Sequence, residues 1–230
     1  MLHPTPSELH LWSVDTANRD TARAVQSWLD SKELARASRL RTESDRRRFI
    51  IAHGALRDIL AGYMEISPSD VRIERLPSGR PRVAGGSLEF NIAYAIGVMV
   101  CAVTSGARVG VDIEDSRRAD SQHDGAYLSR SERAAVAALS EDARPAALAA
   151  CWTRKEALTK AVGEGVNLEF STFDVTVTPG DARILSLPVS LSGTAWHMAG
   201  FQVPPCYVGA AVVEGNAVSV RQRRWSVPSP

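Results

Sequence analysis

The sequence predicts an α+β protein with two successive halves, each containing helices followed by strands. Apolar residues recur at helical spacing across residues 21–64, and short runs rich in β-branched and aromatic residues follow from residue 88. The same order then recurs, with helical spacing up to Gly163 and strand-like runs from Phe170 onward. A chain of 230 residues therefore divides into two halves of about 110 residues, a usual domain size. We predict their bounds as 1–111 and 112–230.

The first half begins with two predicted helical pieces. The second piece is "SDRRRFIIAHGALRDILAGYM", and Ser44 is its predicted N-cap. The stretch "LPSGRPRVAGG" (residues 76–86) is dense in Gly and Pro, which predicts a surface loop. Three strands are predicted next, "LEFNIAYA", "VMVCAVTS" and "RVGVDIED", with turns at residues 96–97 and at Gly106. We expect these three strands to form an antiparallel meander.

The second half follows the same order. The segment "SRSERAAVAAL" predicts a helix capped by Ser129 or Ser131, and "RPAALAACWTRKEALTKAV" predicts a longer helix that ends before Gly163. Four strand-like runs come next: "STFDVTVTPG", "TAWHMAGFQVP", "YVGAAVVEG" and "AVSVRQRRW". We expect the C-terminal "WSVPSP" to fray.

Charge and cysteine content argue against several classes of protein. The formal net charge is +1, from 27 basic and 26 acidic residues, so no overall field favours nucleic acid or another polyanion. Cys101, Cys151 and Cys206 form no CxxC pair and are predicted to be buried reduced thiols. The sequence contains neither a signal-peptide pattern nor a run of the ~20 apolar residues that span a bilayer, so we expect a cytoplasmic protein.

Two acidic residues in "GVDIED" lie two positions apart on a predicted strand. The side chains of Asp112 and Glu114 therefore leave the same face of that strand. Because close carboxylates repel unless a cation or a proton lies between them, such a pair suits Mg²⁺. The alternative is a solvated strand end that leads into a polar loop, and the pair alone leaves both interpretations open.

The stretch "WTRKEALTKAVGEG" (residues 152–165) carries charge where the apolar stripe of its helix should run. Lys155 falls near the middle of the stripe, while Glu156 and Lys160 lie along one edge with i,i+4 spacing. One interpretation is a surface ion pair, with a Lys155 stem that covers apolar surface. The other is that Glu156 completes a three-carboxylate magnesium cage with the acidic pair, while the lysines bind phosphate.

Taken together, "GVDIED" and "WTRKEALTKAVGEG" resemble the paired signature of the 4′-phosphopantetheinyl transferases, G-(V/I)-D-(I/V)-E and W-x-x-K-E-x-x-x-K-x-x-G-x-G. "GRP" is similar to the family's G-(K/R)-P, and "FNIAYA" stands in the place of F-N-(I/L)-S-H-S. The resemblance covers roughly residues 36–174. The chain length is similar to the larger, pseudodimeric type that serves peptide and polyketide synthases. This implies a monomer with two similar α+β halves in a pseudo-two-fold arrangement.

The resemblance also implies a reaction, the transfer of the phosphopantetheine arm of coenzyme A to a serine of an acyl or peptidyl carrier protein. The other product is adenosine 3′,5′-bisphosphate. Carried over to this chain, the resemblance implies that Asp112, Glu114 and Glu156 hold Mg²⁺ against the pyrophosphate. Glu156 is then also the candidate base for the carrier serine, and Lys160 neutralises charge on the phosphate oxygens, as such chemistry requires.

Further residues are implied to bind coenzyme A. Arg80, between Gly79 and Pro81, matches the basic residue that the family places near the adenine and the phosphates. Arg36 and Arg48 stand where the family has cations for the 3′-phosphate. These five residues complete the binding site that the resemblance implies on the N-terminal side.

Other polar residues are predicted to have no part in the site. Arg46 and Arg47 are interpreted as a solvated helix start, Arg57 as structural, and His53 as a hydrogen-bonded core histidine. The sequence contains no GxSxG, P-loop or GxGxxG motif, so serine hydrolysis and ordinary nucleotide-binding motifs have no support.

The chain departs from the family at Ala93-Tyr94-Ala95, where the family has S-H-S. The family's histidine donates to a coenzyme A phosphate. Tyr94 can donate one hydrogen bond but is neutral near pH 7, so we assign it to a modified coenzyme A pocket. The favoured hypothesis is a working transferase. The alternatives are a protein of this fold that binds coenzyme A or a carrier without transfer or catalyses different chemistry, and an interaction protein with no small-molecule site.

Overall fold

The structure is a computed structural model that describes residues 4–5, 7–76, 79–117, 125–163, 168–203, 206–215 and 218–228. Its first part contains β1 (Glu8–Asp15), α1 (Arg19–Val25), α2 (Ser31–Ser38), α3 (Glu43–Met64), β2 (Ile73–Arg75), β3 (Pro81–Val83), β4 (Leu88–Ala95) and β5 (Val98–Ser105). Its second part contains β6 (Val109–Asp115), α4 (Arg130–Ala137), α5 (Arg144–Val162), β7 (Asp174–Val175), β8 (Ile184–Ser186), β9 (Trp196–Val203), β10 (Tyr207–Glu214) and β11 (Ser219–Arg224). The predicted α+β class is confirmed.

The two parts repeat one arrangement of strands. The first contains the antiparallel order β1-β5-β4, and the second contains the antiparallel order β6-β10-β9. Asp15, the last residue of β1, pairs with Val98, the first residue of β5. In the same way, Asp115 at the end of β6 pairs with Tyr207 at the start of β10. Asp15 and Asp115 therefore occupy equivalent positions in the two sheets.

A buried cation on the long helix joins the helices of the first part. Arg57 on α3 is 1% exposed, and its guanidinium donates to Glu33, the third residue of α2, at 2.7 Å. It also donates to the backbone carbonyls of Pro68 and Val71 in the turn that follows α3. A buried charge is stable only when its hydrogen bonds are satisfied, and these partners provide them.

The second part repeats this arrangement with a lysine. Lys155 on α5 is 0% exposed, and its ammonium lies 2.8 Å from Glu132, the third residue of α4. It also donates to the backbone carbonyls of Phe170 and Phe173 in the turn that follows α5. Both sequence interpretations of Lys155 are therefore wrong. The ammonium group neither reaches solvent nor faces a phosphate site, because the helix turns it into the core.

The two parts share a third hydrophobic core between their sheets, which includes Leu9, Val100, Val111, Phe201 and Ala211. The C-terminal strand β11 returns to the first part, where it pairs in parallel with β1. The predicted boundary between residues 111 and 112 falls inside β6, so the division into two domains stays a prediction.

Several local expectations were wrong. Thr42, and not Ser44, caps α3, because the Thr42 hydroxyl accepts the Asp45 N–H at 3.0 Å. The expected meander stops after β5, since β6 pairs with β10 in the other sheet. The expected loop at residues 76–86 contains β3, which pairs with β2. Trp225 is 7% exposed and does not fray, because it packs in the core of the first part.

Strand β1 was not predicted. The region expected to form two helical pieces contains three α-helices, of which α1 was not predicted as a separate helix. The three cysteines are free, as expected; Cys101 and Cys151 are buried, whereas Cys206 is only partly buried, so the prediction that it is buried was wrong. In the part of the chain that the structure describes, no helix combines the length and the apolar character needed to cross a bilayer.

Candidate active site

Strand β6 and helix α5 meet at Gly110. A Cβ atom at this position would lie 2.1 Å from the carbonyl oxygen of Ala157 and 2.4 Å from the backbone nitrogen of Ala161. Any side chain here would push the strand away from the helix, because such distances are far below van der Waals contact. Glycine therefore brings the acidic residues of β6 against α5, as the "GVDIED" pattern requires.

Asp112 and Lys160 form an ion pair across this junction. The Lys160 ammonium donates to Asp112 Oδ1 at 2.6 Å and to the Val111 carbonyl at 3.3 Å. Among the described residues, the ion pair of Lys160 is with this aspartate on the strand and not with Glu156 on its own helix. The proposed surface pair within the helix is therefore absent from the described part of the chain, and the basic and acidic motifs meet in space.

The acidic residues influence one another through burial and mutual repulsion. Burial raises the pKa of Asp112 to about 6; Lys160 opposes this shift, while Glu156 and Glu114 add to it. Burial also raises the pKa of Glu114, and repulsion from Asp115 and Glu156 adds to that shift. The three carboxyl groups from β6 and α5 therefore belong to one electrostatic site.

The donor set can be tested against the magnesium ion that the sequence implies. Asp112 Oδ2 is buried and has no hydrogen-bond partner, which is costly unless a cation or a proton satisfies it. Carboxylate oxygens are the ligands that Mg²⁺ prefers. Within the described residues, however, no three acidic, His or Cys side chains are close enough together to form a closed metal cage. The carboxylate oxygens therefore suit Mg²⁺ chemically. One of the two Asp112 oxygens, however, already accepts a hydrogen bond from Lys160.

A cavity of about 680 Å³ extends from the end of β6 toward the helices of the first part, and Asp112, Glu156 and Lys160 are not among its lining residues. Glu114 and Asp115 contribute to its wall from β6. Its basic side chains come from α2, α3 and β2, and they are Arg36, Arg48, His53 and Arg75. The cavity thus combines several cations with an acidic side, which suits a polyanionic ligand held together with a divalent metal.

Two of the basic side chains pack on one aromatic ring. The His53 ring stacks on Phe49 with centroids 3.9 Å apart, and the Arg36 guanidinium lies 5.4 Å from the centroid of the same ring. Nδ1 of His53 is 2.8 Å from Glu33 Oε1. His53 is hydrogen-bonded, as expected, but it also lines the cavity, which its apolar helical position did not indicate. Arg75 was likewise missed, because a lone arginine before a loop carries no signal.

Tyr94 also lines this cavity and is 50% exposed. Tyr94 lies two residues after Ile92 on β4, and Ile92 also lines the cavity. Pro81, at the start of β3, contributes to the wall as well. These positions agree with the assignment of Tyr94 and Pro81 to the ligand pocket, which stays a prediction.

Arg80 lies beside the cavity and joins three elements. Its guanidinium donates to Glu89 at 3.1 Å, to the Val109 carbonyl at 3.1 Å and to the Lys160 carbonyl at 3.5 Å. It therefore connects β6 and the end of α5 to the first part. Gly79, which precedes it, has a φ of 85°, a conformation that favours glycine. Direct binding of coenzyme A by Gly79 and Arg80 stays a prediction.

Asn91 provides a second connection, which the sequence did not reveal. Its side-chain oxygen accepts the Val111 N–H at 3.0 Å in a buried position. This bond links β4, which carries Tyr94, to β6, which carries Asp112, although the two strands belong to different sheets. The amide thereby fixes the basic cavity relative to the carboxylates.

Comparison with known proteins agrees with this geometry. A model of the 4′-phosphopantetheinyl transferase superfamily matches residues 108–212. The 4′-phosphopantetheinyl transferase HetI of Nostoc sp. is 29% identical over 217 residues, which cover 90% of this chain and 88% of that relative. The 4′-phosphopantetheinyl transferase Sfp of Bacillus subtilis is 22% identical over 182 residues, covering 79% of this chain and 80% of that relative. The chain is therefore similar to the 4′-phosphopantetheinyl transferase superfamily over residues 108–212, and to individual 4′-phosphopantetheinyl transferases over most of its length.

Proposed function

We propose that this protein transfers the 4′-phosphopantetheine arm of coenzyme A to a serine of an acyl or peptidyl carrier protein in a Mg²⁺-dependent reaction. One observation carries this proposal. Asp112 of β6 pairs with Lys160 of α5 and is influenced by the charge of Glu156, and Glu114, two residues further along β6, lines a cavity whose other walls carry cations. The two halves of one chain supply the two sides of this site, so we also propose that a monomer is active.

The charges suggest how coenzyme A lies in the cavity. Its pyrophosphate fits the side where Lys160 meets Asp112, since a metal ion between carboxylates and phosphates neutralises both. Its 3′-phosphate fits the wall that carries Arg36 and Arg48. Tyr94, half exposed in the same cavity, can donate its hydroxyl to a phosphate oxygen.

Asp112, Glu114 and Glu156 would hold Mg²⁺. When bound, the ion would supply positive charge to the pyrophosphate oxygens. Asp112 offers Oδ2, which has no partner among the described residues. Lys160 would keep Asp112 ionised and stabilise negative charge on the phosphoryl oxygens, because it lies 2.6 Å from Asp112 Oδ1.

In the transfer step, Glu156 accepts the proton of the carrier serine while the serine oxygen bonds to the phosphorus that bears the pantetheine arm. The bond from that phosphorus to the bridging oxygen of the pyrophosphate breaks. The bridging oxygen leaves on adenosine 3′,5′-bisphosphate with its negative charge stabilised by Lys160. This assignment leaves the protein with positioning and electrostatic roles, which dominate phosphoryl transfer.

Intact-mass spectrometry of a carrier protein tests this function. An apo carrier incubated with the protein, coenzyme A and Mg²⁺ should gain the mass of one phosphopantetheinyl group. A carrier whose acceptor serine is replaced by alanine should gain nothing, and EDTA should prevent the gain. If several apo carriers keep their mass while calorimetry detects coenzyme A binding, transfer is wrong and the alternative of binding without transfer is correct.

A further inference from the structure

A second cavity, of about 700 Å³, lies where β1 and β11 of one sheet approach β9 of the other. Neither Asp112 nor Lys160 lines it, so it is not part of the candidate active site. The first cavity lies beside it, and the two share a wall to which Arg48, Ile96 and Val98 contribute. A cavity of this size can hold a small organic molecule.

The repeated arrangement of strands explains why this second cavity is open. On the other side of the molecule β4 packs along β6, and the Asn91 side chain of β4 accepts the Val111 N–H of β6. Counting back from the paired strand ends, Ala199 on β9 corresponds to Asn91. By the same count, Leu11 on β1 corresponds to Val111. Because a methyl group accepts no hydrogen bond, this link between the sheets is lost here, and β1 pairs with β11 instead.

Apolar side chains from both sheets line the cavity. Val100 on β5 and Phe201 on β9 belong to the core that the two sheets share, and Val203 packs at its edge. At one end, the hydroxyl group of Tyr207 donates to the Ile96 carbonyl, so its proton is already used within the protein. The interior therefore suits a hydrocarbon chain, since its burial removes apolar surface from water.

The charged residues of the cavity wall are mostly basic. Arg48, Arg223 and Arg224 line the cavity together with one carboxylate, Asp15. Arg48 has a partner, because its guanidinium lies 3.5 Å from Asp45. Among the described residues Arg223 and Arg224 form no ion pair, and the buried Nε of Arg223 has no hydrogen-bond partner. With Asp45 set against Arg48, and Asp15 against one of the two strand arginines, one positive charge remains. That excess suits a monoanion.

We propose that this second cavity binds a carboxylic acid with an apolar chain, such as a medium-chain fatty acid. A carboxylate carries one negative charge, and a guanidinium group can bind both of its oxygens. Arg224, exposed at the end of β11, is the arginine that pairs with it. The chain lies against Val100, Phe201 and Val203. This site is separate from the cavity proposed for coenzyme A and does not depend on the proposed function.

Calorimetric titration of the wild-type protein with decanoate, below the concentration at which it forms micelles, tests this proposal. Decanol and decyltrimethylammonium have the same chain length without the negative charge. Decanol should bind at least tenfold more weakly than decanoate, because it forms no ion pair, and decyltrimethylammonium should not bind. Octanoate, with two methylene groups fewer, should bind about tenfold more weakly than decanoate.

Three variants test where decanoate binds. Arg224→Gln should raise the Kd for decanoate about tenfold and leave the Kd for decanol unchanged. Val203→Trp places a large side chain in the cavity and should weaken the binding of both ligands. Arg36→Gln removes a guanidinium that lines only the first cavity, so it is the control and should change neither Kd. Melting curves show whether each variant is folded.

The ligand series decides the proposal even if Val203→Trp fails to fold. Absence of decanoate binding to the wild-type protein would overturn the proposal. Equal Kd values for decanoate and decanol would also overturn it, because the cavity would then not recognise a carboxylate. Weaker binding in Arg36→Gln with no change in Arg224→Gln would place decanoate in the first cavity and would likewise show the proposal to be wrong. Transfer to a carrier protein is measured separately, so none of these results changes the proposed function.

Discussion

Strands β1 and β6 occupy the same place in their sheets but present different side chains to their helices. Counting back from the equivalent residues Asp15 and Asp115, Val14 corresponds to Glu114 and Trp12 to Asp112. Trp12 and Val14 pack against the hydrophobic core of the first part. The same backbone position thus supports a core in one half and a charged site in the other.

The long helices differ in the same way. Because Arg57 and Lys155 are equivalent buried cations, Asp58 corresponds to Glu156. Asp58 Oδ2 accepts the indole N–H of Trp225 at 2.8 Å, so the C-terminal segment occupies this carboxylate. The first half therefore has an acidic residue at the position equivalent to Glu156, and this residue holds the C-terminal segment.

The basic side chains show the opposite distribution. Arg48 and His53 on α3 correspond by position to Ala146 and Cys151 on α5. The first half therefore supplies the basic wall of the cavity, while the second supplies the three carboxylates of the candidate site together with Lys160. The two halves share one arrangement of strands and helices, but equivalent positions carry different side chains. One cavity can therefore be lined by cations from one half and carboxylates from the other.

The largest expected effect follows from the acidic positions on the two helices. Glu156→Gln should lower the rate of transfer about a thousandfold, since it removes both a metal ligand and the base. Asp58→Asn, at the equivalent position, should leave the rate within a few-fold and lower only stability. Initial rates from carrier mass spectra, with melting curves for both variants, measure this. Equal rates in wild type and Glu156→Gln would remove Glu156 from the site.

The buried cations should matter for stability alone. Lys155→Met leaves Glu132 in the core without its cation and should lower the free energy of unfolding by about 3 kcal/mol, and Arg57→Met should cost a similar amount. Urea denaturation measures both, with Arg130→Met, an exposed change on α4, as the control. Loss of transfer by Lys155→Met at unchanged stability would contradict the repeat and restore a phosphate-binding role for Lys155.

The charge of Asp112 should destabilise the metal-free protein. Its pKa is raised from 3.8 to about 6 in the fold. The folded state therefore binds the proton more tightly, and this group costs stability as pH rises from 3.8 to about 6. In EDTA above pH 6, Asp112→Asn should be more stable than wild type by about 2 kcal/mol, and the difference should vanish below pH 4. Melting curves across pH measure it.

Magnesium provides the control for this prediction. The ion should stabilise the wild-type protein at pH 7 and leave the Asp112→Asn melting temperature almost unchanged, because binding to the native state alone raises stability. If Asp112→Asn were less stable than wild type in EDTA at pH 7, the ion pair between Asp112 and Lys160 would outweigh the cost of burying the Asp112 carboxylate.

The smallest expected effect concerns Arg36 of α2 and Arg39, the exposed residue that follows α2. Arg36→Gln should raise the KM for coenzyme A about fivefold with kcat nearly unchanged, because it removes a ground-state contact with phosphate. Arg39→Gln, three residues further along the chain at the end of α2 and outside the cavity wall, should change neither constant. Steady-state kinetics with a saturating carrier measures both. An equal rise in KM in the two variants would indicate only a general loss of positive charge.

Much of the fold was predictable because it depends on local pattern. Strands β4 and β5 have the predicted bounds, and helix α5 ends immediately before Gly163 as expected. Strand β1 was missed because it is buried on both faces, with Leu9 and Leu11 toward the shared core and Val14 toward α3. A strand buried on both faces shows no regular alternation of apolar and polar residues. The polar residues within β1 also make it hard to recognise as an apolar run.

The site was predictable to the extent that residue spacing determines it. Two carboxylates two apart on a strand must share a face, and Glu156 and Lys160 must share a helix edge. The resemblance placed Asp112 and Lys160 in one site, but it did not predict the ion pair between them. The roles of Asn91 and His53 were not predictable, because each depends on a partner far away in the sequence.

The sequence by itself determined the α+β class and the main strands and helices, since these follow from periodicity and spacing within short segments, and the resemblance of its acidic and basic motifs predicted the candidate site. Only the tertiary structure decided that β6 pairs with β10, that Lys155 lies in the core, and that cations from one half face carboxylates from the other. Burial and long-range pairing decide such matters, because the free energy of a charge depends on the neighbours that folding brings to it.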